Sequence, residues 1–176
     1  MSPEQRCILC EKDANVKDAP GRDANRVGCE TCGIYYLGAP TLFEKDYKEM
    51  PREKRAMLSA YTRERFELGE EPPEFGDADA LEGIIAEYEN KSDNEKLKNL
   101  IWYIRKESTQ FGDSAPLDAE KDYPITYSLS SVGFTGILNN AIGQRLVDPI
   151  ESDFKLTEQG WRRGTELMEE RGGGSS

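Results

Sequence analysis

Cys7-Ile8-Leu9-Cys10 is followed by Cys29-Glu30-Thr31-Cys32, and these two stretches decide the fold of the N-terminal part of the chain. They contain all four cysteines, with 18 residues between the pairs, and the chain has no histidine. Two Cys-x-x-Cys pairs supply the four thiolates of a tetrahedral Zn²⁺ site, and four protein ligands leave no position open for water. We therefore predict one structural zinc ion bound by Cys7, Cys10, Cys29 and Cys32, within a zinc ribbon over residues 1–38.

The same cysteines have an alternative use as two disulfides or as redox-active dithiols. The sequence has no apolar segment of the signal-peptide type, and a redox motif would not recur at ribbon spacing. Zinc-bound thiols stay reduced, which is typical of cytoplasmic proteins. We therefore expect zinc ligands and a cytoplasmic location.

Charge and composition limit the possible partners. The 176 residues include 34 acidic and 23 basic side chains, for a net charge of −11. A negative field repels phosphate backbones, since nucleic-acid affinity depends on Lys and Arg side chains that release counterions. No apolar run approaches the roughly 18 residues of a membrane helix. Nucleic acid is therefore a disfavoured partner without a local basic patch, and no membrane contact is expected.

Residues 39–91 are expected to form a helical linker region. Helices are predicted from Thr41 to about Lys48, from Pro51 to about Leu68, and from about Asp77 onwards. Each carries an apolar stripe of the kind that packs into a core. The fold class predicted for the whole chain is mainly α with small β content.

Residues 92–171 are expected to form a winged-helix-like domain. Ser92-Asp-Asn-Glu95 has the form of a capping box and predicts a helix that runs to Phe111. An extended segment over 123–127 and a helix over 132–144 come next. Two short strands within 146–156 form a wing, and Thr157 caps a closing helix. Residues 172–176 are expected to be a flexible tail or linker.

A nucleic-acid-binding sensor that uses the winged helix and the zinc ribbon is the main alternative function. Amide side chains can read adenine edges in the major groove, and basic side chains can contact phosphates. The candidates are Asn139, Asn140, Gln144, Arg145, Lys155, Arg162 and Arg163. Acidic residues surround Lys155, so protein contacts are favoured over this alternative.

A weaker alternative is a pocket for a nucleotide signal between the ribbon and the helices. Its base would stack on Tyr35, Tyr36 and Trp102. Aromatic side chains of this kind are more often packing residues.

Catalysis by the chain itself is not expected. The sequence lacks histidine, its thiols are assigned to zinc, and it has no glycine-rich loop of the phosphate-binding types. Only an acid/base site assembled from carboxylates distant in sequence remains open. We therefore predict a non-catalytic interaction or regulatory module. Its expected partner is another protein, a linked effector domain or a second copy of the chain.

Four motifs resemble an uncharacterised type of bacterial protein. They are Cys7-Ile-Leu-Cys10, Gly28-Cys-Glu-Thr-Cys-Gly-Ile-Tyr35, Leu58-Ser-Ala-Tyr-Thr-Arg63 and Leu156-Thr-Glu-Gln-Gly-Trp161. In that type, a zinc-ribbon and winged-helix-like N-terminal half precedes a domain similar to Toll/interleukin-receptor or nucleoside deoxyribosyltransferase folds, and some such proteins act in anti-phage defence.

The resemblance implies that this chain corresponds to the N-terminal half of such an effector protein. Arg171-Gly-Gly-Gly-Ser-Ser176 stands where the effector domain would begin. Its composition is that of an interdomain linker or a frayed terminus.

Overall fold

The structure, a computed structural model, describes residues 5–172. Its strands are β1 Asn15–Asp18, β2 Ala24–Cys29, β3 Gly33–Gly38, β4 Glu74–Phe75, β5 Ser114–Pro116, β6 Val147–Ile150 and β7 Asp153–Leu156. Its helices are α1 Pro40–Glu49, α2 Arg52–Glu67, α3 Glu82–Glu89, α4 Asp93–Glu107, α5 Ala119–Asp122, α6 Ser131–Gly143 and α7 Glu158–Gly172, with short 3₁₀ segments at Ala78–Leu81 and Tyr123–Thr126. A chain that is about 53% helix and 18% strand confirms the class of mainly α with small β content.

The first sheet has the order β1-β2-β3-β4. The first three strands are antiparallel neighbours, and β4 pairs in parallel with β3. The segment between the two cysteine pairs forms β1 and β2. Gly21 lies at the turn between these strands with φ +79°, a conformation that glycine adopts without steric cost.

Helices α1, α2 and α3 pack with this sheet into one hydrophobic cluster, which we call the first cluster. Its buried members include Tyr35 and Leu37 of β3, Leu58 of α2, Phe75 of β4 and Ile85 of α3. The rings of Tyr35 and Phe75 lie 5.6 Å apart. The helices predicted from Thr41, Pro51 and Asp77 are confirmed within a few residues. The short sheet therefore shares its core with the helices that follow it in the chain.

Helices α4, α6 and α7 pack around a second cluster, beside a sheet of order β5-β7-β6. The Ser92 hydroxyl accepts a hydrogen bond from the Glu95 amide at 3.1 Å, so the predicted cap is confirmed. The prediction that this helix continues to Phe111 is wrong. The chain turns extended at Ser108, and the Asp113 carboxylate then accepts hydrogen bonds from two backbone amides in a turn. Strand β5, which follows this turn, was not predicted.

The region from 123 to 157 contains one wrong prediction and three confirmed ones. Residues 123–126 form a 3₁₀ turn that starts beside Pro124, not an extended segment. The helix α6 and the hairpin of β6 and β7 lie where they were predicted. The Thr157 hydroxyl accepts a hydrogen bond from the Gly160 amide at 3.0 Å and thereby caps α7.

Two of the predicted segments include residues that the structure does not describe. Residues 173–176 of the predicted tail, and residues 1–4 of the predicted ribbon, lie outside the described residues. Within residues 5–172, none of the helices combines the length and apolar character needed to cross a membrane.

Candidate metal centre

The four cysteines converge on one point beside the first sheet. Cys29 ends β2 and Cys32 directly precedes β3, while Cys7 and Cys10 lie on the turn before β1. The four sulfur atoms all lie within 4.8 Å of one another. The Cys7 and Cys32 sulfurs are 3.7 Å apart, and the Cys10 and Cys29 sulfurs are 3.4 Å apart. A tetrahedron with metal–sulfur bonds of about 2.3 Å has sulfurs roughly 3.8 Å apart. The cluster can therefore hold one metal ion.

The sulfurs are too far apart for disulfides, which need about 2.05 Å. All four cysteines are free thiols. Cys32 is completely buried and Cys10 is partly exposed. The centre is thus closed on the side of α2 and opens towards solvent at Cys10.

The acidity of the thiols differs within the cluster. Hydrogen bonding with Cys10 lowers the pKa of Cys7 and of Cys29, whereas the bond with Cys29 raises the pKa of Cys10. Burial raises the pKa of Cys32. A divalent cation at the centre would allow all four sulfurs to ionise together, because its charge offsets their mutual repulsion.

Two hydroxyl groups contact the sulfurs from outside the cysteine set. The Tyr35 hydroxyl of β3 lies 3.2 Å from the Cys7 sulfur, and the Ser59 hydroxyl of α2 lies 3.1 Å from the Cys32 sulfur. Burial raises the pKa of Tyr35, so its phenol stays protonated and can donate to a thiolate. Such contacts orient the ligands of metal sites. This role was not predicted, although Ser59 is a polar residue between Leu58 and Ala60 on a buried helix face.

Gly33 allows α2 to approach the second cysteine pair closely. It has φ +86°, and an added Cβ would lie 2.7 Å from the Cβ of Phe66. Any other residue at this position would push α2 away from Cys32. The glycine directly after the second pair is therefore part of the local geometry of the site.

Two arginines of α2 bind the backbone of the two cysteine turns. Arg55 donates to the carbonyl of Ile8 at 3.3 Å. Arg63 donates to the carbonyls of Glu30 and Thr31 at 3.2 and 3.1 Å. Helix α2 therefore holds both cysteine turns in position through hydrogen bonds.

Arg63 also joins the centre to the second half of the chain. Its guanidinium contacts the carboxylates of Asp122 and Glu67, each at 2.8 Å, and Lys106 of α4 lies 2.7 Å from the other oxygen of Glu67. Arg63 is only 4% exposed and Asp122 only 1%. Burial alone would raise the pKa of Glu67, but hydrogen bonds from Lys106 and Arg63 outweigh it and lower the pKa. These ion pairs, which link residues far apart in sequence, were not predicted.

The nucleic-acid candidates are spread over α6, β7 and α7. Gln144, Arg162 and Arg163 line one groove of about 620 Å³. Asn140 lies next to this groove and accepts a hydrogen bond from the Gln144 amide at 2.9 Å. The other candidates, Asn139 and Arg145 at the end of α6 and Lys155 on β7, do not line it. Helix α6 itself contains no Lys or Arg.

The three aromatic residues of the nucleotide-pocket hypothesis are not brought together. Tyr35 is fully buried in the first cluster, and Trp102 is buried in the second. Tyr36 instead lies under the Arg22 guanidinium, 4.6 Å from the ring centre.

Comparisons with protein-family models, curated proteins and solved structures gave no match.

Proposed function

We propose that this chain is a non-catalytic, zinc-stabilised interaction module that docks a partner protein through the exposed face of α6. The main support for this proposal is that the face is apolar, exposed and free of basic side chains. Val132 is 80% exposed and Leu129, just before the helix, is 48% exposed, while no basic side chain lies on α6. Exposed apolar patches of this kind typically mark interaction sites.

Zinc is the metal that best fits the four-sulfur set. Soft thiolates favour Zn²⁺, and a four-cysteine set with short spacings within each pair is typical of structural zinc sites. The contacts from Tyr35 and Ser59 support a metal site, because ligating sulfurs usually accept hydrogen bonds from such neighbours. Elemental analysis of protein purified without chelator should find one zinc per chain. A metal-free protein with paired disulfides would refute this part of the proposal.

The order of elements supports a winged-helix-like arrangement of the second half. Helix α4 precedes strand β5, then come α5, the 3₁₀ turn and α6, and the hairpin of β6 and β7 follows as a wing. Helix-turn-helix proteins present the second helix of the pair at their binding surface. In this chain α6 occupies that position, and its neutral, apolar face suits a protein better than a phosphate backbone.

The exposed face of α6 forms one wall of a groove of about 700 Å³, which we call the docking groove. Leu129, Val132 and Ile137 supply apolar surface, and Gly133 and Gly136 allow a partner to approach the helix backbone. The rim carries three carboxylates and one lysine: Glu53, Glu89, Asp93 and Lys96. Charge complementarity therefore favours a partner segment with apolar anchors flanked by Lys or Arg.

A substitution at Gly136 tests the docking groove. An added Cβ at Gly136 meets no atom within 4 Å, so Gly136→Gln should leave the fold intact and fill the groove. Gly143→Gln is the matched control, because Gly143 has equally open surroundings on the same helix but does not line the groove. Binding of amphipathic peptides with basic or acidic flanks is measured by fluorescence anisotropy.

The proposal expects the basic-flanked peptide to bind and Gly136→Gln to weaken it at least about tenfold, with no effect of Gly143→Gln. Equal binding of acidic-flanked peptides, or an unaffected Gly136→Gln variant, would contradict it. Self-association that Gly136→Gln abolishes would instead identify a second copy of the chain as the partner. Salt-dependent binding of duplex DNA through α6 would favour the nucleic-acid alternative.

A further inference from the structure

A second groove lies between α4 and α7, beside the start of β6, and we call it the basic groove. Its volume is about 620 Å³. It shares no lining residue with the docking groove. Ligand binding in the basic groove is therefore independent of docking at α6.

The basic groove concentrates positive charge in a chain whose net charge is −11. Lys98, Arg162 and Arg163 line it together with a single carboxylate, that of Glu166. The docking groove has the opposite balance, with three carboxylates and one lysine. The basic groove is thus suited to an anionic ligand.

Two of these cations have no carboxylate partner in the described part of the chain. Lys98 and Arg163 make no ion pair there, whereas Lys48, Lys91 and Lys106 all pair with glutamates. Arg162 lies 3.4 Å from Glu158, but both side chains are more than two-thirds exposed, so this pair contributes little. The three cations are therefore available to a phosphate group.

The floor and rim of the basic groove suit the rest of such a ligand. Leu97, Ile101 and Leu146 are buried and form an apolar floor. Asn94, Gln144 and Gln159 place three amide side chains around it. Pockets of about 300 to 1,000 Å³ with an apolar lining and a few polar groups typically bind small molecules. Amides can pair with the edge of a nucleobase, and the apolar floor can contact its ring.

We propose that the basic groove binds a nucleotide, with its phosphate at Lys98, Arg162 and Arg163 and its base against the apolar floor. A single concave site with three cations matches one phosphate group better than a nucleic-acid backbone. Lys155 and Asn139, which a longer polynucleotide bound to the wing and α6 would contact, lie outside the groove.

Isothermal titration calorimetry of the zinc-loaded protein tests the proposal. The probes are ribonucleoside 5′-monophosphates of each base, the matching nucleosides, inorganic phosphate and a short single-stranded oligonucleotide. The variants are Lys98→Gln and Arg163→Gln. Lys17→Gln is the matched control, because Lys17 is an exposed lysine of β1 and its substitution removes the same charge at a position away from the groove.

At least one mononucleotide should bind, and each groove variant should weaken it about tenfold or more, since a charge-assisted hydrogen bond is lost. Lys17→Gln should leave the affinity unchanged. The proposal is overturned if no mononucleotide binds, or if inorganic phosphate binds as tightly as the nucleotide. It is also overturned if only the oligonucleotide binds, with a steep salt dependence, because the groove would then be part of a nucleic-acid surface.

Discussion

Replacement of Arg63 by methionine should destabilise the protein more than any exposed charge substitution. Methionine keeps an unbranched apolar stem but removes the guanidinium, which leaves the buried carboxylate of Asp122 without its partner at 2.8 Å. Loss of one partner from a buried ion pair costs about 3–5 kcal/mol. The carbonyls of Glu30 and Thr31 also lose their donor, which adds to this cost.

A second substitution separates the unpaired charge from the lost packing. Asp122→Asn in the Arg63→Met background removes the stranded carboxylate, so the double variant should be more stable than Arg63→Met alone. Arg162→Met is the control, since Arg162 makes an exposed ion pair with Glu158 and should cost less than about 1 kcal/mol.

The free energy of unfolding is measured by urea denaturation at pH 7 with excess zinc. The excess metal keeps wild type and variants fully loaded, so that only metal-bound proteins are compared. A cost below about 1 kcal/mol for Arg63→Met would refute the reasoning, since buried pairs of this type cost several times more. So would a double variant that is less stable than the single one.

Three further predictions concern stability. Gly160→Ala should lower the free energy of unfolding, measured by urea denaturation, by at least about 1–3 kcal/mol, because the added Cβ would overlap the Leu146 carbonyl oxygen. Gly143→Ala, at a position with open surroundings, should raise the free energy of unfolding slightly. The pKa of Glu67 is lowered from its ordinary value of 4.5, so the ionised carboxylate stabilises the folded protein at pH values above 4.5. The difference in free energy of unfolding between wild type and Glu67→Gln should therefore shrink as pH falls through the lowered pKa, and a difference that does not change with pH would contradict this. Chelation of the metal should remove amide-exchange protection from β1–β3 and α2 before α4 and α7, because the cysteines belong to the first cluster; simultaneous loss would refute this order.

The sequence predicted those parts of the fold that depend on local chemistry. The spacing of the four cysteines predicted their convergence, and Ser92 predicted the start of α4 through its hydrogen bond to Glu95. The apolar stripes of α2 and α3 predicted helices, because amphipathic periodicity is a property of neighbouring residues. The hairpin of β6 and β7 was visible as two short apolar runs around a polar turn.

The parts that were missed depend on contacts between distant residues. Strand β5 is only three residues long and contains Pro116, so it becomes a strand only by pairing with β7. The end of α4 depends on the turn at Asp113, and the spacing of apolar residues along a helix does not predict such a turn. Arg63 and Asp122 are 59 residues apart, and nothing in either local sequence indicates the other.

These distant contacts change the role of the metal centre. A ribbon without a core of its own would depend on the metal alone. In the structure, Arg63 connects the Cys29–Cys32 turn to α5, and Asp122 of α5 in turn accepts a hydrogen bond from the Asp118 amide. Arg63 is therefore a buried connection between the metal centre and the second half of the chain. Since the two perturbations act on the same network, the effects of metal removal and of Arg63→Met on stability should not add, and a sum of the two separate effects would show that the centre stabilises the first sheet alone.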